Sequence, residues 1–180
     1  LGDANSRVSE VALTGQEGSL AGTYSLTEVG DGREVGNLDG DGWHETKIRI
    51  RYKDTDRLGV VYYGNYLTFF EVGRAEFMRD LGYPYSRVEL EGFNLVVTEA
   101  AAKYHGNVGY DSLVTVKTMI TEARGARVRF DYKVLSEDGN LLVTGHTVHG
   151  CINASKKPSR FPPELKAILE EKMKGRSEEG

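Results

Sequence analysis

The sequence predicts an α+β domain in which one long helix accompanies an antiparallel sheet of about five strands. Three observations lead there. One stretch, about Tyr63 to Leu81, keeps apolar residues at three- and four-residue spacing over the length of a long helix. One short alternating stretch precedes it, and four strand-like stretches follow it. The last two of these are joined by Ser136-Glu137-Asp138-Gly139-Asn140, whose Asp-Gly step is a strong hairpin signal.

Taken in order, residues 1–45 hold nine glycines and few large apolar side chains. Such a segment buries too little surface to offset the entropy of ordering and reads as a flexible leader. Fragments such as Val8-x-x-Val11-x-Leu13 and Thr23–Leu26 are the parts able to add short strands. The first clear strand covers about Thr46 to Tyr52, with Ile48, Ile50 and Tyr52 alternating. In the long helix Tyr66, Phe69, Phe70, Gly73, Phe77 and Leu81 mark one face, and Gly73 lets a sheet approach closely. Gly82 is a C-terminal stop, and Pro84 prevents continuation. The later strands are about Leu95–Tyr104, Leu113–Glu122, Arg127–Leu135 and Leu141–Ile152, with Val128, Phe130, Tyr132 and Val134 the clearest alternation. Pro162-Pro163-Glu164 opens a short amphipathic helix to about Met173, so the domain is expected over residues 46–174 and a polar tail over 175–180.

With 180 residues the chain suits one domain with a sizeable core. No apolar run has the length of a bilayer span, so no membrane insertion is expected. The single cysteine, Cys151, excludes an internal disulfide framework and, with no secretory signal in view, points to the cytoplasm. Nine acidic and two basic side chains give residues 1–45 a net charge of −7, whereas residues 46–180 hold 18 acidic and 21 basic ones, a net of +3. A mildly basic domain suits a small polyanion such as a nucleotide diphosphate, and it lacks the basicity of a duplex-binding module, so no nucleic acid is expected.

The stretch from Arg51 to Tyr66 carries the chemistry. Asp54 and Asp56 follow the first strand, Gly59 breaks regularity, and the helix begins near Tyr63. A carboxylate beside a helix N-terminus offers a base or nucleophile on one side and free backbone N–H groups on the other, as acyl transfer requires. The residues alone leave the commoner reading open, in which Asp56 caps a turn.

The run Tyr52, Asp54, Asp56, Gly59, Val61, Tyr62, Asn65, Tyr66, Phe69, Phe70, Glu71 and Arg74 closely resembles the signature of the 4-hydroxybenzoyl-CoA thioesterase family of hotdog-fold proteins, which includes the YbgC-like acyl-CoA thioesterases. The resemblance extends from about Thr46 to Leu169. It implies a hotdog fold, a sheet wrapped around the helix, and hydrolysis of an acyl-CoA thioester without a metal or other cofactor. It implies that Asp56 is nucleophile or general base, that the backbone amide at Tyr63 polarises the thioester carbonyl, and that Gly64 lets the thioester approach the backbone. Asn65 is a substrate contact or a support for the Asp56 loop, the latter favoured. Asp54 is expected to fix the loop through local hydrogen bonds. Glu71 and Arg74, three apart on the helix, are expected to pair with each other.

Lys156 and Lys157, with Arg124 in the loop between the third and fourth strands, are candidates to meet the CoA phosphates; a plain solvated run explains them as well. The resemblance also implies a homodimer or homotetramer with the active site at the subunit boundary, where a neighbour's residues 95–107 line the pocket. Two alternatives stand beside acyl-CoA hydrolysis: a non-catalytic module that binds acyl-CoA or acyl carrier protein, and a thioesterase acting on acyl carrier protein. No His occurs between His44 and His105, which argues against the Asp–His chemistry of hotdog hydratases. His146 and His149, three apart on a strand, face opposite sides and make no metal-ligand set with the other two histidines.

Overall fold

The computed structural model describes residues 41–174. In chain order these form β1 (His44–Arg49), α1 (Asn65–Asp80), α2 (Tyr85–Leu90), β2 (Phe93–Tyr104), β3 (Leu113–Arg124), β4 (Arg127–Ser136), β5 (Leu141–Asn153) and α3 (Pro163–Lys174). The five strands make one antiparallel sheet in the order β1-β3-β4-β5-β2, so β1 and β2 are its edges. The α+β fold read from the sequence, a long helix against a five-stranded antiparallel sheet, is the fold observed.

The helix packs where its pattern says. Tyr66, Phe69, Phe70 and Phe77 are buried in one core with Val128, Phe130, Tyr132 and Val134 of β4. Two glycines set the spacing. A Cβ on Gly73 would lie 2.7 Å from Thr118 Oγ1 and 2.8 Å from Val116 Cγ1, so the absent side chain is what lets α1 lie on β3. A Cβ on Gly145 would lie 2.4 Å from the Ala101 carbonyl oxygen and 2.5 Å from the Phe70 ring, which stacks on Tyr132 at 4.3 Å between centroids. Gly82, at φ +73°, stops α1, and Gly139, at φ +78°, turns the β4–β5 hairpin. Leu165 and Leu169 of α3 complete the core.

The structure departs from the expected elements in three places. The first strand starts at His44, inside the stretch assigned to the leader, because His44 is buried 2.7 Å from Asp80 Oδ2 and stacks on Phe77. It also ends at Arg49: Tyr52 enters a single 3-10 turn (Tyr52–Asp54) and is 80 % exposed, its ring edge-on to Tyr110. Arg124 ends β3 and does not lie in a loop. Pro84 does more than stop α1, since it opens the short helix α2. The remainder of the leader, residues 1–40, and the tail, residues 175–180, lie outside the described residues.

Candidate active site

The site is built on the loop between the 3-10 turn and α1, which doubles back on itself. Asp56 N–H donates to the Val60 carbonyl at 2.9 Å, and Gly59 N–H to the Asp56 carbonyl at 3.0 Å, with Gly59 at φ +76°. One oxygen of Asp56 accepts the Leu58 N–H at 2.8 Å, so Asp56 does shape its own turn, as the simpler reading held. That bond occupies one carboxylate oxygen; the other has no partner among the described residues. The side chain is half-buried, which leaves it open to a ligand.

The base of the loop is stapled three ways. The Asp54 carbonyl accepts the Tyr62 N–H and the Asn65 Nδ2–H, both at 2.9 Å, and Val61 N–H donates to the Val108 carbonyl at 2.9 Å. Asn65 thus takes the supporting position. Asp54 is buried and accepts from the Arg51 backbone at 2.9 Å and from Arg51 Nε at 3.1 Å. Burial alone would raise its carboxyl, but the Arg51 hydrogen bonds and charge outweigh it and hold the group below the usual carboxylate range. Asp54 is committed to the loop, and Asp56 is the carboxylate left over.

At the helix start, Asn65 N–H already bonds the Tyr62 carbonyl and Tyr66 N–H the Tyr63 carbonyl. The N–H groups of Tyr63 and Gly64, just before α1, find no acceptor among the described residues. Together with the helix dipole they make a site for developing negative charge. The Tyr63 carbonyl is held from the other side by the Tyr104 hydroxyl at 3.1 Å, at the end of β2. Tyr63 itself is exposed, as its proposed backbone role allows. Gly64 has ordinary helical φ and ψ; a Cβ there would meet the Tyr62 ring at 2.8 Å, so its smallness makes room for an aromatic neighbour.

Asp56, Tyr63, Gly64 and Asn65 therefore converge on one loop–helix junction. Arg124, Lys156 and Lys157 do not join them. Lys156 and Lys157 sit on a turn organised by Asn153 at the end of β5, and Arg124 ends β3 beside it. The opposite end of β5 lies by the site, where Leu142 accepts from His105 and Gly106. The 13 residues of β5, roughly 40 Å of strand, separate the two.

A second polar group was not legible in the sequence. Arg74 does not pair with Glu71; it turns inward, 8 % exposed, and donates from Nε to the Tyr85 hydroxyl at 2.8 Å and from Nη1 to the Tyr132 hydroxyl at 3.1 Å. Tyr132 shares a 2.7 Å bond with Thr147 Oγ1, which lies 2.8 Å from His149 Nε2. Burial, and then the Arg74 charge, push His149 down to about 4. His146 points the other way, to Glu99, as the strand alternation requires.

Known proteins share this fold. The family model described as the thioesterase-like superfamily matches residues 50–169. The acyl-CoA thioesterase YbgC of Haemophilus influenzae is 35 % identical over 125 residues, covering 68 % of this chain and 90 % of that one. The DHNA-CoA thioesterase structure from Staphylococcus aureus superposes with a TM-score of 0.73 at 32 % identity, over 77 % of this chain and 95 % of its own. A more distant relative, the acyl-acyl carrier protein thioesterase ATL3 of Arabidopsis thaliana, is 25 % identical over 128 residues, 69 % of this chain and 66 % of that one. The matched span runs from the last residues before the Asp56 loop to the middle of α3, and on it the chain belongs to the thioesterase-like superfamily.

Proposed function

We propose that the protein hydrolyses acyl-CoA thioesters at the junction of the Asp56 loop and α1. The observation that carries this is the pairing of a carboxylate with one uncommitted oxygen and two unpartnered backbone N–H groups at a helix start. The thioester carbonyl oxygen sits on the Tyr63 and Gly64 N–H groups. Asp56 then attacks the carbonyl carbon directly or takes a proton from a water that does so. Either way a C–O bond forms, the oxyanion collapses and the C–S bond breaks, and CoA leaves as the thiolate and is reprotonated; on the direct route a water then hydrolyses the acyl–Asp56 anhydride, releasing the acid and restoring the carboxylate. The chemistry needs no cofactor. Asn65 acts through the Asp54 carbonyl and is a positioning residue.

The exposed edge strand β2 supports a homodimer, with tetramers formed by further association. Val96, Val97 and Tyr104 are exposed along an edge that is unpaired among the described residues. Antiparallel pairing of β2 with a second copy would bring the start of one β2 beside the end of the other. The partner subunit's Lys156 and Lys157 would then approach this chain's Asp56 from beyond β5, where they can meet CoA phosphates; Arg124, deeper in the sheet, is the weaker candidate. Buried Cys151 suits a cytoplasmic setting.

Thiol release from a panel of short-chain, long-chain and aryl acyl-CoAs tests this reading. Wild type should turn over at least one ester, and Asp56→Asn should lose about a thousandfold or more in kcat while still binding it. A folded wild type that binds the esters and releases no thiol would leave a non-catalytic binder. Likeness to ATL3 favours one other reading, hydrolysis on acyl carrier protein, which a higher kcat/KM on that substrate would establish.

A further inference from the structure

The two N–H groups at the start of α1 belong to two successive peptide units, and these are held in different ways. The unit between Tyr62 and Tyr63 carries the Tyr63 N–H. Its carbonyl receives the Asn65 N–H at 2.9 Å, a short backbone bond. The unit between Tyr63 and Gly64 carries the Gly64 N–H. Here the backbone supplies only the Tyr66 N–H, at a long 3.4 Å, and the shorter bond comes from a side chain, the Tyr104 hydroxyl at 3.1 Å.

The direction of that bond is fixed by chemistry: a peptide carbonyl has no hydrogen to give, so the phenol donates. A peptide unit is planar and trans, with its C=O and N–H pointing opposite ways. A donor that pins the carbonyl therefore aims the N–H on the other side of the same unit. Drawing electron density to the carbonyl oxygen also makes that N–H a stronger donor. Gly64 needs such a restraint, because without a side chain its backbone turns more freely than any other residue's. Its N–H has no acceptor among the described residues.

Tyr104 is itself well seated. Its backbone pairs with Val143, and the next two N–H groups, of His105 and Gly106, both donate to the Leu142 carbonyl at 2.8 and 3.0 Å. The Tyr104 ring stands edge-on to the Tyr63 ring at 6.3 Å and to the Tyr66 ring at 5.9 Å, and Tyr66 is buried. The sheet and a core residue thus set the position of the phenol, which reaches a helix start 41 residues away in sequence. Tyr104 is exposed, so the core does not call for an aromatic ring here. A phenylalanine would shield the helix start equally well; the hydroxyl is the part that shielding leaves unexplained.

We infer that Tyr104 is a positioning residue for the oxyanion site: through the Tyr63 carbonyl it orients and strengthens the Gly64 N–H. The inference rests on the thioesterase reading of Asp56 and extends the machinery from the loop and helix to the end of β2. Tyr104 acts through the peptide and does not touch the reacting atoms.

Tyr104→Phe keeps the ring and removes one donor. On any ester that the wild type cleaves, the variant should lower kcat by about threefold to tenfold, the net worth of one hydrogen bond, with KM changed less than about twofold. Infrared spectroscopy supplies the readout that a packing role would not move. In Asp56→Asn, an isotope-labelled thioester carbonyl should absorb at lower frequency when bound than when free, because the N–H groups polarise it. Adding Tyr104→Phe should reduce that shift. An unchanged kcat, a change confined to KM, or an equal carbonyl shift with and without the hydroxyl would overturn the assignment and leave the Asp56 reading standing. If the wild type releases no thiol, the hydrolytic reading fails separately, and the carbonyl shift of the bound ester decides the role of Tyr104: a smaller shift without the hydroxyl supports it, and an equal or absent one rejects it.

Discussion

His149 is neutral because it is buried beside a cation, and that has a pH signature. Its native pKa of about 4 lies below the ordinary 6.5, so the unfolded chain binds this proton more readily. The associated stability is intact above about pH 6.5 and is lost progressively as pH falls to about 4, by about 2 to 3 kcal/mol. Urea unfolding of wild type and His149→Leu at pH 7, 5.5 and about 4 should show the gap between them narrowing or inverting as the pH falls. A constant gap would mean that His149 does not titrate in this window. At Tyr63 the opposite logic applies. The proposed contribution is a backbone N–H and the ring is exposed, so Tyr63→Leu should change kcat by less than about threefold, whereas Asn65→Ala, which removes a staple of the Asp56 loop, should lower kcat by about tenfold or more. Steady-state kinetics on any turned-over ester separates the two.

Among the elements, the two glycines against α1 differ in what surrounds them. At Gly73 an added methyl meets the ends of Thr118 and Val116 side chains, and the gain in helix propensity from Ala offsets part of the crowding. Gly73→Ala should cost about 1 kcal/mol or a little more. At Gly145 the added methyl meets a backbone carbonyl and a ring held by stacking, neither of which can move cheaply, so Gly145→Ala should cost about 3 kcal/mol. Thermal melts of the pair check that order. The elements most legible in the sequence were those with long periodicity, α1 and β4, because the core they face is continuous. The six residues of α2 are too few to display a helical period, and they follow a proline that reads first as a stop. Tyr52 was misplaced because an aromatic residue at an alternating position suits a strand, while the Arg51 bonds to Asp54 close a turn there. Arg74 was misread because three-residue spacing from Glu71 fits a surface pair equally well; only the close seating of α1 through Gly73 reveals that position 74 points inward.

At the scale of the molecule, the half of the candidate site proposed to react was legible as a cluster because the carboxylate, the helix start and the supporting Asn65 lie within ten residues of one another in sequence. The basic residues were not, since nothing local says which end of a sheet a distant lysine occupies. Their placement at the far end leaves them a role only through a second copy, and that is testable. Val97, 56 % exposed on the β2 edge, should disrupt the pairing when changed to Lys, because an edge lysine must stay solvated. Sedimentation should show wild type as a dimer or tetramer and Val97→Lys as a smaller species, with KM for CoA esters raised where the phosphates lose the partner subunit's Lys156 and Lys157. A monomeric wild type with full activity would remove the partner from the site.

Tyr104 gives this arrangement a further property. In the proposed dimer, one side chain terminates the strand that would meet the second copy and also grips the carbonyl of the residue whose N–H is proposed to receive the oxyanion. Loss of the neighbour would loosen that grip, so turnover per chain should decline on dilution, and assays begun from a concentrated stock should start fast and slow as the subunits part. In a cell, the output of such an enzyme rises more steeply than its abundance.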